Sequence, residues 1–522
     1  MQAADRIVTA AEMAEIDRRA QEDFGISGLL LMENAGQKAW AVVRDLLRTE
    51  RMNTSRPRIA FIAGNGNNGG DALVMARQAC IEDEVDVLIV TVTGELKGSA
   101  QQHWQILHRL GARRLVWQDD SDGVRTALDD VEWIVDGIAG TGLSGALRDP
   151  VGVLVDTINR SPASVVAVDV PSGMRDGRRR GELAVRAHVT VVTGYLKAML
   201  FEGHNRSLAG DIRQVDPGFP SSIVNDPRVV PSRIRRMPIP PDHPVPVKSD
   251  AHKGRRGRVL VIGGSSGTAG AAVLSAEGAG AAGAGMIRVL ASAQGVTAVL
   301  ARNPSFMARD MSAPDGGGTR REAVEWADVA VLGPGWTTLT DTDLAEWMTL
   351  CEESTTACVL DASALRVLAQ RGEAWDRLYN GAVPSILTPH RGEWRALASE
   401  EDDDGEVREM LERFPRRQGL TVVVKSSVTW VRHATDEVDI LDGRVPTLAV
   451  AGSGDVLSGV LAAALARVVA AGLDTPAMIR DSLRWGLARH LHAGRSLAGG
   501  GRSVSAADIA ARIAAGLESH HG

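Results

Sequence analysis

Four carboxylates, Asp71, Asp136, Asp169 and Asp455, each stand at one end of a loop rich in glycine or hydroxyl groups. Asp71 closes Gly64-Asn65-Gly66-Asn67-Asn68-Gly69-Gly70-Asp71, and Asp136 opens Asp136-Gly137-Ile138-Ala139-Gly140-Thr141-Gly142-Leu143-Ser144-Gly145. Asp169 opens Asp169-Val170-Pro171-Ser172-Gly173, and Asp455 closes Ala451-Gly452-Ser453-Gly454-Asp455. A carboxylate held among free amides and hydroxyls suits proton transfer to or from a bound hydroxyl. If Gly452, Ser453 and Gly454 open a helix, their amides form an anion hole. An acid inside such a hole repels phosphate unless it works on the attacking hydroxyl. That is the division of labour in phosphoryl transfer, where amides hold charge and a carboxylate takes the proton. In the first loop Asn67 and Asn68 add carboxamides, so it can hold polar ligand groups or an alkali cation. The same loop satisfies G-x-G-x-x-G after an apolar run, but its three asparagines and Asp71 argue against an ordinary redox dinucleotide site.

These groups need strands and helices to carry them. Apolar runs at 58–63, 85–92, 113–117, 133–135, 164–168 and 188–193 read as strands, with helical patterns at 10–19, 27–47 and 99–110 between them. Thr9, with Glu12 three residues on, caps the first helix. Asn34 is open to two readings, a buried polar contact or a ligand contact. Asp136 and Asp169 follow strands, and in a parallel sheet such ends gather on one edge, where ligands bind. Lys197 neutralises a phosphate or is a solvated strand-end lysine, and Asp83 and Asp86 read as surface acids. In the second half, strands at 259–262, 286–291, 327–332, 357–360, 385–388 and 420–424 lead into Gly263, Gly333-Pro334-Gly335, Asp361, Pro389-His390-Arg391-Gly392-Glu393 and Lys425. His390 either stabilises its turn or touches a ligand, and its setting favours the ligand. Residues 271–285 are nearly all small, which predicts a helix packed very closely on its neighbours.

Between the halves, residues 217–246 hold nine of the 21 prolines, which disfavour a continuing helix or central strand. The reading is two α/β domains, 1–220 and 247–516, joined by a proline-rich linker at 221–246. The chain of 522 residues is longer than one core supports. Hydrophobic residues at 44% and charged residues at 24% are ordinary for a soluble protein. A net charge of -7 offers no broad basic surface, so nucleic acid is not an expected partner. Arg178-Arg179-Arg180 reads as a solvated turn. Cys80, Cys351 and Cys358 are too few and scattered for a disulfide framework or a zinc site. The first 19 residues lack a long apolar core, so no membrane anchor is expected and the compartment is cytoplasmic. The terminal His520-His521 pair is too short to be a tag or metal site.

The loops at 64–71, 136–145 and 169–173 together resemble those of the NAD(P)H-hydrate epimerase family, the YjeF N-terminal domain. The resemblance implies a Rossmann-like domain that binds hydrated NADH or NADPH through Asn67, Asn68, Gly69, Gly70, Asp71, through Gly140, Thr141, Gly142, Leu143, Ser144, Gly145, Ala146, and through Asp169. It implies Asp169 as acid/base at the C6 hydroxyl and a potassium ion on Asn68, Asp136 and Ser172. The second half is similar to the ribokinase-like superfamily. Within it, His252-Lys253-Gly254, Gly333-Pro334-Gly335, Thr388-Pro389-His390 with Gly392-Glu393, and 452–455 look like the ADP/ATP-dependent NAD(P)H-hydrate dehydratase domain. That implies Asp455 as base, Gly335, His390 and Asp455 at the substrate, and Lys425, Gly452, Ser453 and Gly454 at the adenine nucleotide. ADP is the expected co-substrate, with ATP the alternative, Mg2+ an accompanying ion and a homo-oligomer the implied assembly.

Several positions depart from the family pattern. Ala72 replaces a glycine after Asp71, Arg391 a proline, Ser426 a glycine, and Ala451 and Ser453 stand where glycine and threonine are usual. The segment 445–450 is short where the family has a nucleotide loop. Two other readings remain: a small-molecule kinase of the ribokinase superfamily, and a nucleotide-binding regulatory protein with decayed sites.

Overall fold

Runs such as Ile59-Ala60-Phe61-Ile62 and Val165-Val166-Ala167-Val168 are apolar at every position, so both faces of their sheet must be covered. The computed structural model describes residues 5–49, 56–247, 253–312, 316–399, 406–499 and 503–516. His252 and the terminal histidine pair lie outside them. The chain forms two units, Met1–Arg235 and Arg236–Gly522. The proline-rich stretch holds a short helix, Ser221–Val224, and a short strand, Ile234–Arg236.

In the first unit a seven-stranded sheet runs in the order Arg113–Val116, Asp86–Thr91, Arg58–Ala63, Trp133–Gly137, Ser164–Val168, Val189–Thr193, Asp211–Val215. All its pairings are parallel. One face buries Ile59, Phe61 and Val135 with Trp40, Leu73 and Leu107 from helices Gly28–Thr49, Asn67–Glu82 and Gly98–Arg109. The other buries Ala60, Ile62 and Ile134 with Val124 and Leu154 from helices Ser121–Asp129 and Val151–Arg160. The chain order reverses between Arg58–Ala63 and Trp133–Gly137, so the loops after these strands diverge and leave a crevice. They are crowded at their roots: a Cβ on Gly64 would lie 1.9 Å from the Ile138 carbonyl oxygen. The expected capping box on the first helix, Ala10–Glu22, is present between Thr9 and Glu12.

The second unit is also a doubly covered sheet. Its strands run in the order Val438–Asp442, Val428–Arg432, Leu420–Val424, Ser385–Leu387, Ala357–Leu360, Val329–Leu332, Arg258–Ile262, Met286–Ala291, Met307–Asp310. They are parallel except for the antiparallel ribbon of the first three. Helix Ser453–Ala470 is long and apolar enough to cross a membrane by composition, yet it is the central packing helix of this unit and largely buried. It crosses helix Ala269–Ala281 at the closest range backbones allow. A Cβ on Gly278 would lie 2.2 Å from the Val456 carbonyl oxygen, and one on Gly459 1.8 Å from that of Ser275. The small-residue stretch is therefore a packing device. Gly285 likewise meets protein, its absent Cβ falling 1.8 Å from the Lys253 carbonyl oxygen.

One surface reading is corrected. Arg178 is buried, because its turn folds back on helix Gly203–Arg206 and its guanidinium donates to Asn205 Oδ1 at 3.1 Å and to the Glu182 carbonyl. Arg179 and Arg180 are exposed. Asp83 and Asp86 are surface acids paired with Arg56. The three cysteines are free thiols.

Candidate active site

In the first unit the crevice is a cavity of about 710 Å³, lined by Asn67, Asn68, Asp71, Gly140, Thr141, Gly142, Leu143 and Asp169, with Asp17, Thr193 and Lys197. Asp169 leaves its strand with φ +67, a left-handed turn that redirects the chain at the sheet edge. Its Oδ1 accepts from the Thr193 amide at 3.2 Å, from Thr193 Oγ1 at 3.0 Å and from Lys197 Nζ. Lys197 is 1% exposed and also donates to the Thr193 carbonyl at 2.7 Å. It is thus not a solvated strand-end lysine, and it lines the cavity. Strand Leu196–Lys197, paired to Ile7–Val8, turns the side chain inward as the counter-ion of Asp169. Burial and the nearby Asp169 charge hold the Asp71 carboxyl well above the usual carboxylate range.

Gly69 and Gly70 turn their missing side chains to protein. A Cβ on Gly69 would lie 2.0 Å from the Gly64 carbonyl oxygen, and one on Gly70 2.5 Å from Met32 Sδ. The loop 140–146 is a shared wall. Gly142 and Leu143 face both the large cavity and a second one of about 520 Å³, which Ser144 and Ala146 also line. Gly145, between them, takes φ +89. Asn34 donates to the Pro217 carbonyl at 3.1 Å, a polar contact within the protein.

Asp136 and Ser172 lie wholly buried behind this wall. The Ser172 amide and hydroxyl donate to the Asp136 carboxylate at 2.8 and 2.6 Å, and the Ile138 amide at 3.2 Å. Burial pushes the Asp136 carboxyl up to about 6, against these neutral donors. Asn68 is buried with neither carboxamide atom hydrogen-bonded. Such orphaned polar atoms are costly unless something else meets them.

In the second unit the C-terminal strand ends gather Asp361, His390, Glu393 and Lys425 near the start of helix Ser453–Ala470. Gly452 is its N-cap, at φ +87, and no side chain caps the turn. The Ser453 amide donates to the Val450 carbonyl at 3.2 Å, and the amides of Gly454 and Asp455 stay open to an anion. Lys425 Nζ donates to Asp361 Oδ1 at 2.8 Å and lies 3.1 Å from where a Gly454 Cβ would be. A longer residue at 454 would displace the ammonium. Asp455 is pushed up to about 7 by burial and by the Asp361 and Glu393 charges, with Lys425 opposing. His390 Nδ1 accepts from the amides of Gly392 and Glu393 at 3.0 and 3.3 Å, so this nitrogen is spent on its turn. The Gly335 carbonyl accepts from the Ser265 amide at 2.8 Å and Thr268 Oγ1 at 2.7 Å.

The NAD(P)H-hydrate dehydratase family model matches residues 259–478, and the model of the YjeF-related protein N-terminus matches residues 28–199. A bifunctional NAD(P)H-hydrate repair enzyme of Moorella thermoacetica is 32% identical over 476 residues, 87% of each chain. The chain belongs to the bifunctional NAD(P)H-hydrate repair enzymes. A member from Escherichia coli is 31% identical, covering 86% of this chain and 83% of that one. Among solved structures, an ADP/ATP-dependent NAD(P)H-hydrate dehydratase from Bacillus subtilis is 20% identical at a TM-score of 0.41, covering 51% of this chain and 91% of that one.

For a repair enzyme of this family, two groups in the second unit went unread in the sequence. His490 lies 3.2 Å from Ser453 Oγ, and burial pushes it down to about 4, so a neutral imidazole holds the glycine loop. Its position in helix Pro476–Leu497 carries no local signal. Asp361 had one, standing directly after a buried strand as Asp136 and Asp169 do, but was given no role.

Proposed function

We propose that the first unit interconverts the R and S hydrates of NADH and NADPH at C6, and that the second uses ADP to dehydrate the S hydrate. The hydrate is a hemiaminal-like adduct. Loss and return of its C6 hydroxyl, or ring opening, needs proton transfer and a partner for transient positive charge. Asp169, fixed by Lys197 and Thr193, is placed to serve both. In the second unit Asp455 takes the proton of the C6 hydroxyl as that oxygen attacks the transferred phosphoryl group. AMP leaves, then phosphate, and the reduced ring is restored. A carboxyl near neutrality is a suitable base. The observation that carries this reading is a half-buried Asp455, raised to about 7, at the uncapped start of a buried helix.

The amides of Gly452 and Gly454 and the Lys425 ammonium suit nucleotide phosphates. Mg2+ would be held chiefly by those phosphates and water, since no cluster of three His, Cys, Asp or Glu side chains suited to a metal occurs among the described residues. The potassium reading is supported by the unpartnered Asn68 carboxamide. Its oxygen, the Asp136 carboxylate and Ser172 Oγ form a hard oxygen set that a monovalent cation fits. Such an ion would supply the positive charge that Asp136 lacks.

One assay tests both units. An R/S mixture of hydrated NADH is incubated with protein and ADP, and recovery of the reduced ring is followed. Recovery is complete for the intact chain, near half for Asp169→Ala, because only the S share is consumed, and almost nil for Asp455→Ala. Recovery indifferent to Asp455→Ala overturns the assignment.

A further inference from the structure

Epimerisation through loss of the C6 hydroxyl needs two opposite services. One group must give a proton so that the oxygen departs as water, and another must take a proton from the water that returns. A single carboxyl can do both only if it serves each face of the ring in turn. The first-unit cavity holds two carboxyls in unlike settings. Asp169 has an ammonium counter-ion in Lys197 and two further donors from Thr193, all on Oδ1. Asp71 receives no hydrogen bond to its carboxyl from the described residues. The two reach the cavity from different elements, Asp71 from helix Asn67–Glu82 and Asp169 from the end of strand Ser164–Val168. Both line one cavity of about 710 Å³, large enough to admit a nicotinamide ring.

We propose that Asp71 is a second catalytic residue of the epimerase, the proton donor to the departing C6 hydroxyl, with Asp169 the base for the returning water. This rests on the reading of the first unit given above. Asp71 gives its proton to the hydroxyl oxygen, the C6–O bond breaks with its electron pair leaving as water, and the N1 lone pair forms the N1=C6 bond of a cationic ring. Water then adds to C6 from the other face, an oxygen lone pair forming the new C6–O bond while the N1=C6 π pair returns to N1, and its surplus proton passes to Asp169. The proton returns from Asp169 to Asp71 through cavity water, so the cycle closes without any outside acid. In the reverse direction the roles exchange.

Charge supports the assignment. The charges that act on Asp71 are those of Asp169, Lys197 and Asp17, all lining the same cavity, and helix Gly28–Thr49 brings apolar Leu31, Met32 and Ala35 to it. Burial is the largest influence on Asp71 and the Asp169 charge the next, both favouring the protonated form. A carboxyl held protonated can give a proton to a ring whose returning water meets the ion-paired carboxylate across the same cavity.

The test uses the full-length protein without ADP, so the second unit is idle. Purified R hydrate is converted to S in water enriched in oxygen-18, the epimers being separated by chromatography. Wild type yields S hydrate carrying one heavy oxygen at C6. Asp71→Asn lowers kcat about a hundredfold or more with KM little changed, and Asp71→Glu recovers part of the loss. Circular dichroism and melting temperature show that both variants are folded. A kcat for folded Asp71→Asn within threefold of wild type overturns the proposal, as does a loss confined to KM. S hydrate formed without heavy oxygen also overturns it, since the hydroxyl then never leaves. Absence of any epimerisation by wild type would instead reject the function proposed for the unit.

Discussion

Replacing Asp361 by Asn should make the dehydratase work at lower pH. Asp455 must be a carboxylate to accept the hydroxyl proton, so activity falls as pH drops through its value of about 7. The Asp361 charge raises that value and the Lys425 ammonium lowers it. Asp361→Asn removes the raising charge and also frees Lys425, now held at 2.8 Å by the Asp361 carboxylate, to approach Asp455. Both effects point the same way. At a charge separation of about 8 Å and an effective dielectric constant of about 20, one charge is worth about 2 kcal/mol, or about 1.5 pH units. At pH 6 the ionised fraction of Asp455 would rise from about a tenth to about three quarters. The weaker base would lower the alkaline plateau severalfold. The assay is kcat/KM for S hydrate at saturating ADP between pH 5 and 9. Lys425→Met is the reciprocal variant, moving the acid limb upward. An Asp361→Asn limb that stays in place or moves upward refutes the reasoning.

Two further outcomes are expected. Gly452→Ala places a side chain at φ +87 with its Cβ 2.4 Å from Leu274 Cδ1. The strain and overpacking together cost about 3 kcal/mol, lowering the second unit's calorimetric transition by about 5–10 °C. Replacing potassium with tetramethylammonium lowers R-to-S conversion about tenfold or more, and Asp136→Asn abolishes the difference between the two salts. Equal rates in both salts with wild type would remove the ion from Asn68, Asp136 and Ser172.

What could be read in advance was local. The loops after buried strands, the Thr9–Glu12 capping box and the small-residue helix each carry their signal within a few residues. The helices Ser121–Asp129 and Val151–Arg160 were not anticipated. The first has Gly123 in its opening turn, and the second follows a proline-ended loop. The pairing of Lys197 is hidden from the sequence for a different reason. Its partner Asp169 stands 28 residues earlier, and only pairing of strand Leu196–Lys197 with Ile7–Val8 turns it inward. His490 likewise meets Ser453 across 37 residues. Electrostatic partners that the sheet edge assembles are invisible to spacing along the chain.

The crossing of the two small-residue helices reaches beyond packing. Gly459 sits one helical turn beyond Asp455, on the same side of the rod, and a Cβ there would run into the backbone of Ser275 and Ala279. That contact works as a fulcrum: a single methyl there would lever the carboxylate out of line while leaving every ligand-facing atom chemically intact. The geometry at Asp455 thus depends on a residue that no ligand touches.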